Sequence, residues 1–500
     1  TAYTFFATCP RGLGEALASE IAAPTVGGTL LAVHPSGVRF GGPSLAAGYA
    51  AVLWARTAIR VLVEVGPPLD VSRVRGRLSD TVYEWVRDGA AVAPAADAAT
   101  AGAGGWPTLV PRGTTFAVDA RVGGIAGAPG GGVGLTRAVG LAVKDAVCDA
   151  LVGGGLPKPD RPPGGYASAG VPLFVAASGD AVTLYRDLVG GSLHKRGYRA
   201  GGGVVHRASL NETVAAGLCY AAGFSVDGGW APPADVASPL ARRGGGNGGG
   251  DGGGGVDNGG GNDAAAAAAP PPPPSWDAGA PLAVVDPMCG SGTLLVEAGL
   301  LARRVPPGLL RPPGAPPHPF EAWPDYSPGA WDALRSDAAA RVRPAATCGV
   351  RLYGNDLHGG ALSLAVSGLA TARLDRMVVL NQGDAATYVP PGGVGLVLSN
   401  PPWGRRLRAR DERVRGAPVE AGGGSDGGDG GGGGGDGGDP DPWGALGTFL
   451  RRQAGGATAT LLSGDAGATR GLRMRAAVKR PVRIGDVDCR IVQYAVLPPK

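Results

Sequence analysis

The chain has 500 residues, a formal net charge of +5 and six cysteines, a length that allows about three domains. Its 92 glycines and 45 prolines exceed the roughly 25% at which unstructured tracts are expected, so less of it folds than its length implies. The modest charge excludes a polycation and leaves local clusters to decide nucleic-acid binding, and no run of 18 apolar residues marks a membrane span. Cys9, Cys148, Cys219, Cys289, Cys348 and Cys489 are scattered, without Cys-x-x-Cys pairs or neighbouring histidines. That spacing argues against a metal or a disulfide framework and for a reducing compartment. A chain beginning at Thr1 rather than Met leaves room for an upstream targeting peptide.

Residues 4–8 read as a strand, 14–22 as an amphipathic helix, Val33 and 38–40 as short strands, 45–57 as a helix and 60–65 as a strand. This β-α-β-β-α-β order predicts a small ferredoxin-like α+β unit over 1–68. A second unit, 69–190, follows with helices over 74–87 and 136–151 and strands over 115–122, 173–177 and 181–187. Its Ala/Gly-rich stretches at 89–105 and 123–134 are expected to be surface loops. His194-Lys195-Arg196-Gly197-Tyr198-Arg199 comes next; three cations, a histidine and a tyrosine suit phosphates and a stacked base, or equally a solvated basic turn. After a helix at 210–222, residues 243–274 hold Gly runs, six alanines and five prolines, and 422–439 is a Gly tract with aspartates. Both have linker composition and are read as disordered excursions from a domain spanning 191–500, tolerated because loop closure costs little with length.

Residues 282–285 read as a buried strand and 293–304 as a helix, with Asp286-Pro287-Met288-Cys289-Gly290-Ser291-Gly292-Thr293 between them. Gly290 and Gly292 permit positive φ, so a ligand can approach bare backbone at the start of a helix. A dinucleotide fingerprint would need a third glycine at Leu295, and Gly-Lys-Ser/Thr of a phosphate loop is absent, which weakens both phosphate readings. The octapeptide resembles the first motif of class I S-adenosylmethionine (SAM) methyltransferases that act on nucleic-acid bases. That resemblance implies a Rossmann-like α/β domain with SAM held by Asp286, Pro287, Cys289, Gly290, Ser291, Gly292 and Thr293. Asp356 ends the next strand, where a doubly wound fold holds ribose hydroxyls, and Asp384 ends the one after; by resemblance Asp384 meets the adenine amine. Taken alone, each is an ordinary turn residue.

The strand at 394–398 ends in Ser399-Asn400-Pro401-Pro402-Trp403, which matches the Asn-Pro-Pro-aromatic motif of enzymes that methylate planar nitrogens. Such an amine has a delocalised lone pair. The Asn400 oxygen and Pro401 carbonyl can accept its two N–H bonds and aim the lone pair at a methyl donor, Pro402 stiffens the backbone, and Trp403 offers a stacking face. Arg405, Arg406 and Arg408 follow and suit RNA phosphates or solvent. Residues 458–463 and 476–494 read as the last strands.

Phe6-Ala7-Thr8-Cys9-Pro10-Arg11-Gly12-Leu13, Gly113 to Val118, Ala142 to Ala146 and His194 to Arg199 together look like the bacterial 23S rRNA guanine-N2 methyltransferase family, which places a ferredoxin-like domain and an RNA-binding THUMP domain before the catalytic domain. Members usually carry Tyr where this chain has Trp403, and some continue into a second methyltransferase domain. The resemblance implies a large-subunit rRNA partner gripped through Lys144, Lys195, Arg196 and Arg199, with no metal and no membrane. Methylation of tRNA guanine N2 or adenine N6, a protein-glutamine methyltransferase and a non-catalytic ribosome-assembly factor remain open. Ala/Gly tracts fit a GC-rich eukaryotic genome and thus a cytoplasmic or organellar setting, the chloroplast included.

Overall fold

The computed structural model describes residues 3–74, 76–89, 105–125, 133–199, 210–236, 281–403, 441–465 and 467–498. The excursions at 243–274 and 422–439, and Arg405, Arg406 and Arg408, lie outside them.

Two sheets organise the described chain. The first begins with β1 (Tyr3–Thr8), α1 (Gly14–Ala22), β2 (Thr29–His34), β3 (Gly37–Gly42), α2 (Ala46–Trp54) and β4 (Arg60–Glu64). The antiparallel order β2-β3-β1-β4 is the expected ferredoxin-like arrangement. Helix α2 stops at Trp54 rather than running to 57, because the Glu20 carboxylate takes the backbone N–H groups of Arg56 and Thr57 at 2.7 and 2.9 Å.

The second unit supplies β5 (Leu69–Asp70), α3 (Leu78–Arg87), α4 (Trp106–Leu109), β6 (Phe116–Ile125), α5 (Val133–Gly153), β7 (Val171–Gly179) and β8 (Ala181–Asp187). Expected from Val74, α3 begins only after Gly76 (φ +151) and an extended Arg77. Gly123 and Gly124, expected in a loop, extend β6 instead. The two units, read as separate domains, share one sheet, β2-β3-β1-β4-β8-β7-β6, joined where β4 pairs antiparallel with β8 from Leu62↔Asp187 to Glu64↔Tyr185.

Helix α6 (Glu212–Ala221), N-capped by Asn211, leads to the second sheet. Its strands are β9 (Leu282–Asp286), β10 (Val350–Asp356), β11 (Val378–Gln382), β12 (Leu396–Ser399), β13 (Thr458–Ser463), β14 (Val478–Ile484) and β15 (Val487–Ala495), in the order β11-β10-β9-β12-β13-β15-β14. All neighbours are parallel except those of β15. Helices α7 (Thr293–Ala302), α8 (Pro328–Ala340), α9 (Gly359–Thr371) and α10 (Pro442–Gln453) connect them. The order reverses between β9 and β12, so their carboxyl ends flank the crevice in which a doubly wound sheet binds ligands.

Residues 305–349, which the sequence leaves uninterpreted, fasten this sheet to the first. Phe320 stacks on Tyr49 of α2 at 4.5 Å between centroids, Arg186 of β8 pairs with Asp325 at 2.6 Å, and the Trp323 indole donates to the Gly170 carbonyl at 3.0 Å. Gly12 (φ +100) comes so close to β14 that a Cβ there would run into the Pro481 carbonyl. All six cysteines are buried free thiols, and among the described residues no helix is long and apolar enough to cross a membrane.

Candidate active site

Strand β9 runs into the glycine turn, where Gly290 (φ 53) and Gly292 (φ 74) are left-handed. Nothing lies within 4 Å of where a Gly290 Cβ would stand, whereas one on Gly292 would sit 3.0 Å from Ala365 of α9. The first glycine thus keeps space open to a ligand and the second lets two helices approach. The Gly290 N–H donates to Asp356 Oδ2 at 2.8 Å, and His358 N–H donates to Asp356 Oδ1 at 2.9 Å. Each carboxylate oxygen keeps a lone pair for a further donor.

Behind the turn sits Asn355, fully buried. Its amide nitrogen donates to the Pro287 and Gly383 carbonyls at 3.0 and 2.9 Å, and its oxygen accepts from Asn381 at 2.7 Å. One side chain therefore ties the ends of β9, β10 and β11 together. Asp286, also buried, accepts from Ser399 Oγ at 2.7 Å and Met288 N–H at 3.1 Å. Burial pushes its carboxyl up to about 7, and the Ser399 bond links the β9 and β12 tips.

The candidate cofactor residues divide into two groups. Gly290, Ser291 and Asp356 are half-buried and Asp384 is exposed, all at strand ends on the crevice. Asp286, Pro287, Cys289, Gly292 and Thr293 are buried. Burial pushes the Cys289 thiol far up, and Thr293 Oγ1 accepts from Arg199; these residues shape the turn from behind. The Asp384 carboxylate also takes the Ala386 N–H at 2.8 Å, as a turn residue does.

Across the crevice Asn400 is half-buried, Pro401 buried and Pro402 exposed. The Trp403 indole N–H donates to Asn400 Oδ1 at 3.1 Å, and the Trp443 indole on α10 donates to the Pro402 carbonyl at 2.9 Å. Sequence reasoning missed Asn355, Ser399 and Trp443. Asn355 stands beside Asp356, and Trp443 follows an Asp-Pro helix start that the structure shows as an N-cap with Pro at N1.

The basic segment departs most from expectation. Arg196 is buried, its guanidinium paired with Glu297 of α7 and donating to the Arg56 carbonyl. Buried Tyr198 donates to the same carboxylate at 2.9 Å. Arg199 bonds the Leu210 carbonyl and pairs with Glu212 at 3.4 Å. Neither arginine is placed to grip RNA, because each satisfies an internal acceptor. Lys144 and Lys195 are exposed. Among the described residues no group of three or more His, Cys, Asp or Glu side chains is arranged to hold a metal.

Residues 275–414 match the model of the RMKL-like methyltransferase domain, and residues 4–62 match that of the RlmL ferredoxin-like domain. The ribosomal RNA large subunit methyltransferase K/L of Shewanella frigidimarina is 27% identical over 410 residues, 81% of this chain and 44% of that protein. Its namesake in Marinobacter nauticus is 29% identical over 414 residues, 82% of this chain and 45% of that one. The chain spans about half the length of the curated relatives it matches. A possible methylase from Clostridium difficile 630 superposes over 100% of this chain and 99% of its own, with TM-score 0.66 and 21% identity. These likenesses, with the strand order, show a class I methyltransferase fold behind a ferredoxin-like domain.

Proposed function

We propose that this chain, which carries an RMKL-like methyltransferase domain behind an RlmL-type ferredoxin-like domain, transfers a methyl group from SAM to the exocyclic N2 amine of a guanine in large-subunit ribosomal RNA. One observation carries the reading: the glycine turn and the Asn-Pro-Pro-Trp motif occupy neighbouring strand tips, bridged by Ser399 and Asp286. SAM would supply the electrophilic methyl carbon. The residues fit such a ligand, since Gly290 offers bare backbone to open space and Asp356 stands beside it with lone pairs to spare for ribose hydroxyls.

On the acceptor side, Asn400 Oδ1 already takes the Trp403 N–H. Its second lone pair and the Pro401 carbonyl would accept the two amine N–H groups, drawing nitrogen towards tetrahedral geometry. The Trp403 face would stack on the extruded base, worth about 1–3 kcal/mol. The methylated amine is acidic enough to release its proton to Asn400, Pro401 or water, so no general base is required. Residues 69–190 are read as the THUMP-type RNA-binding unit, with its exposed Lys144, and Lys195 just beyond it, on phosphates. An rRNA substrate places the protein wherever its ribosome is assembled; the relatives above are bacterial and give no support to a chloroplast.

Purified protein should methylate a large-subunit rRNA fragment. Asn400→Ala should lose about 10²–10³ in kcat with RNA affinity unchanged, and equal turnover by that variant would remove Asn400 from the chemistry. The same Asn-Pro-Pro motif also serves tRNA guanine N2 and adenine N6. Mass spectrometry of nucleoside digests separates these products.

A further inference from the structure

We infer that Trp443 and Gly464, neither of them in the recognised motifs, are positioning residues that hold the amine-binding turn in its working shape; this rests on the function proposed above. Consecutive prolines leave positions 401 and 402 with carbonyls and no N–H donor, so the turn cannot be fixed by a ladder of its own. Strand β12 anchors it upstream only, ending at Ser399. On its other side, the buried Trp443 reaches from the first turn of α10 and donates its indole N–H to the Pro402 carbonyl at 2.9 Å. Trp443 is itself wedged: a Cβ on Gly471 would sit 2.9 Å from the Trp443 Cβ. Gly464, just past the end of β13, lies flat against the Trp403 ring, and a Cβ there would run into the ring carbons. Trp403 in turn holds Asn400 Oδ1.

The chain of contacts therefore runs from α10 and β13, through backbone and ring, to the oxygen proposed to accept the substrate amine. A displacement of about 1 Å at such a point can cost 10²-fold in rate, whereas SAM would be held by a different loop.

The test compares wild type, Trp443→Phe, which keeps an aromatic ring and deletes the donor, and Gly464→Ala, at a position whose φ is not left-handed. Both should lower kcat roughly tenfold, with KM for SAM and melting temperature close to wild type. In protein labelled with ¹⁵N-tryptophan, Trp443→Phe should also shift the Trp403 indole resonance, which needs no substrate. Wild-type kcat in both variants, or a loss of kcat matched by loss of SAM affinity and melting temperature, overturns the inference, and so does an unmoved Trp403 resonance. A wild-type protein that methylates no RNA guanine would overturn the proposed function, leaving the resonance to judge the positioning.

Discussion

At the crevice, Gly290 bonds Asp356 and Asn400 accepts from the Trp403 indole, each carboxylate or amide oxygen with capacity left over, and a Cβ on Gly290 would meet open space. In the seam between the two sheets, Arg196, Glu297, Arg56, Glu20, Tyr198 and Tyr220 are equally polar but are closed in upon themselves. Both regions include residues that the sequence marks as functional: the glycine turn and Asn400 at the crevice, Arg196 and Tyr198 in the seam. The difference is where the partners come from. Crevice groups are served by strand ends and leave a face unspent; seam groups take partners from distant parts of the chain, such as Arg196 from Glu297, 101 positions on, and Tyr220 from Glu20, 200 positions back. A charge run therefore indicates binding only when nothing distant in the chain claims it.

The sharpest way to break this comparison is Arg196→Met. It would leave the Glu297 carboxylate buried without its charge partner and should cost about 3–5 kcal/mol in urea unfolding. Unchanged stability with weakened RNA binding would restore the basic segment as an RNA grip. The matching variant in the crevice, Asn400→Ala, should do the reverse, losing turnover at a nearly unchanged unfolding midpoint.

A smaller effect distinguishes Asp286, which belongs to the crevice by position and to the seam by burial. Its carboxyl lies at about 7 in the fold against 3.8 as a free side chain. The folded state then holds a proton that the unfolded chain has released, so this group's contribution is complete below the unfolded value and is lost as pH rises through about 7. Asp286→Asn should flatten the fall in unfolding free energy across that window; an identical slope in the variant would show that Asp286 does not titrate there. Smallest of all, Lys195→Ala should leave the fold intact and reduce the salt slope of RNA binding by roughly 1. A slope equal to wild type would take Lys195 off the RNA.

Much of the architecture was legible in local pattern. Helix α1 has the predicted bounds, and strands β1, β4, β7, β8, β9 and β13 fall within a few residues of theirs, because hydrophobic periodicity and glycine punctuation act over short spans. Left-handed φ at Gly290 and Gly292 was readable for the same reason. Three things were not. The β4–β8 pairing joins segments over 120 residues apart, and no turn chemistry announces it. Residues 305–349 carry aromatic rings whose partner, Tyr49, lies far upstream. At the strand ends, residue type could not tell Asp286, which is buried, from Asp356, which meets the crevice; only the sheet decides which side of a strand end is free.

β4 and β8 share ladder hydrogen bonds, and Arg186 at the end of β8 is clasped by Asp325 from the segment that joins the two sheets, so among the described residues the two leading units are tied into one sheet. On the function proposed above, that shared sheet would act on a folded RNA as a caliper. Selection would then fall on the distance from docking point to target base, and a transcript with the right letters at the wrong span would be refused.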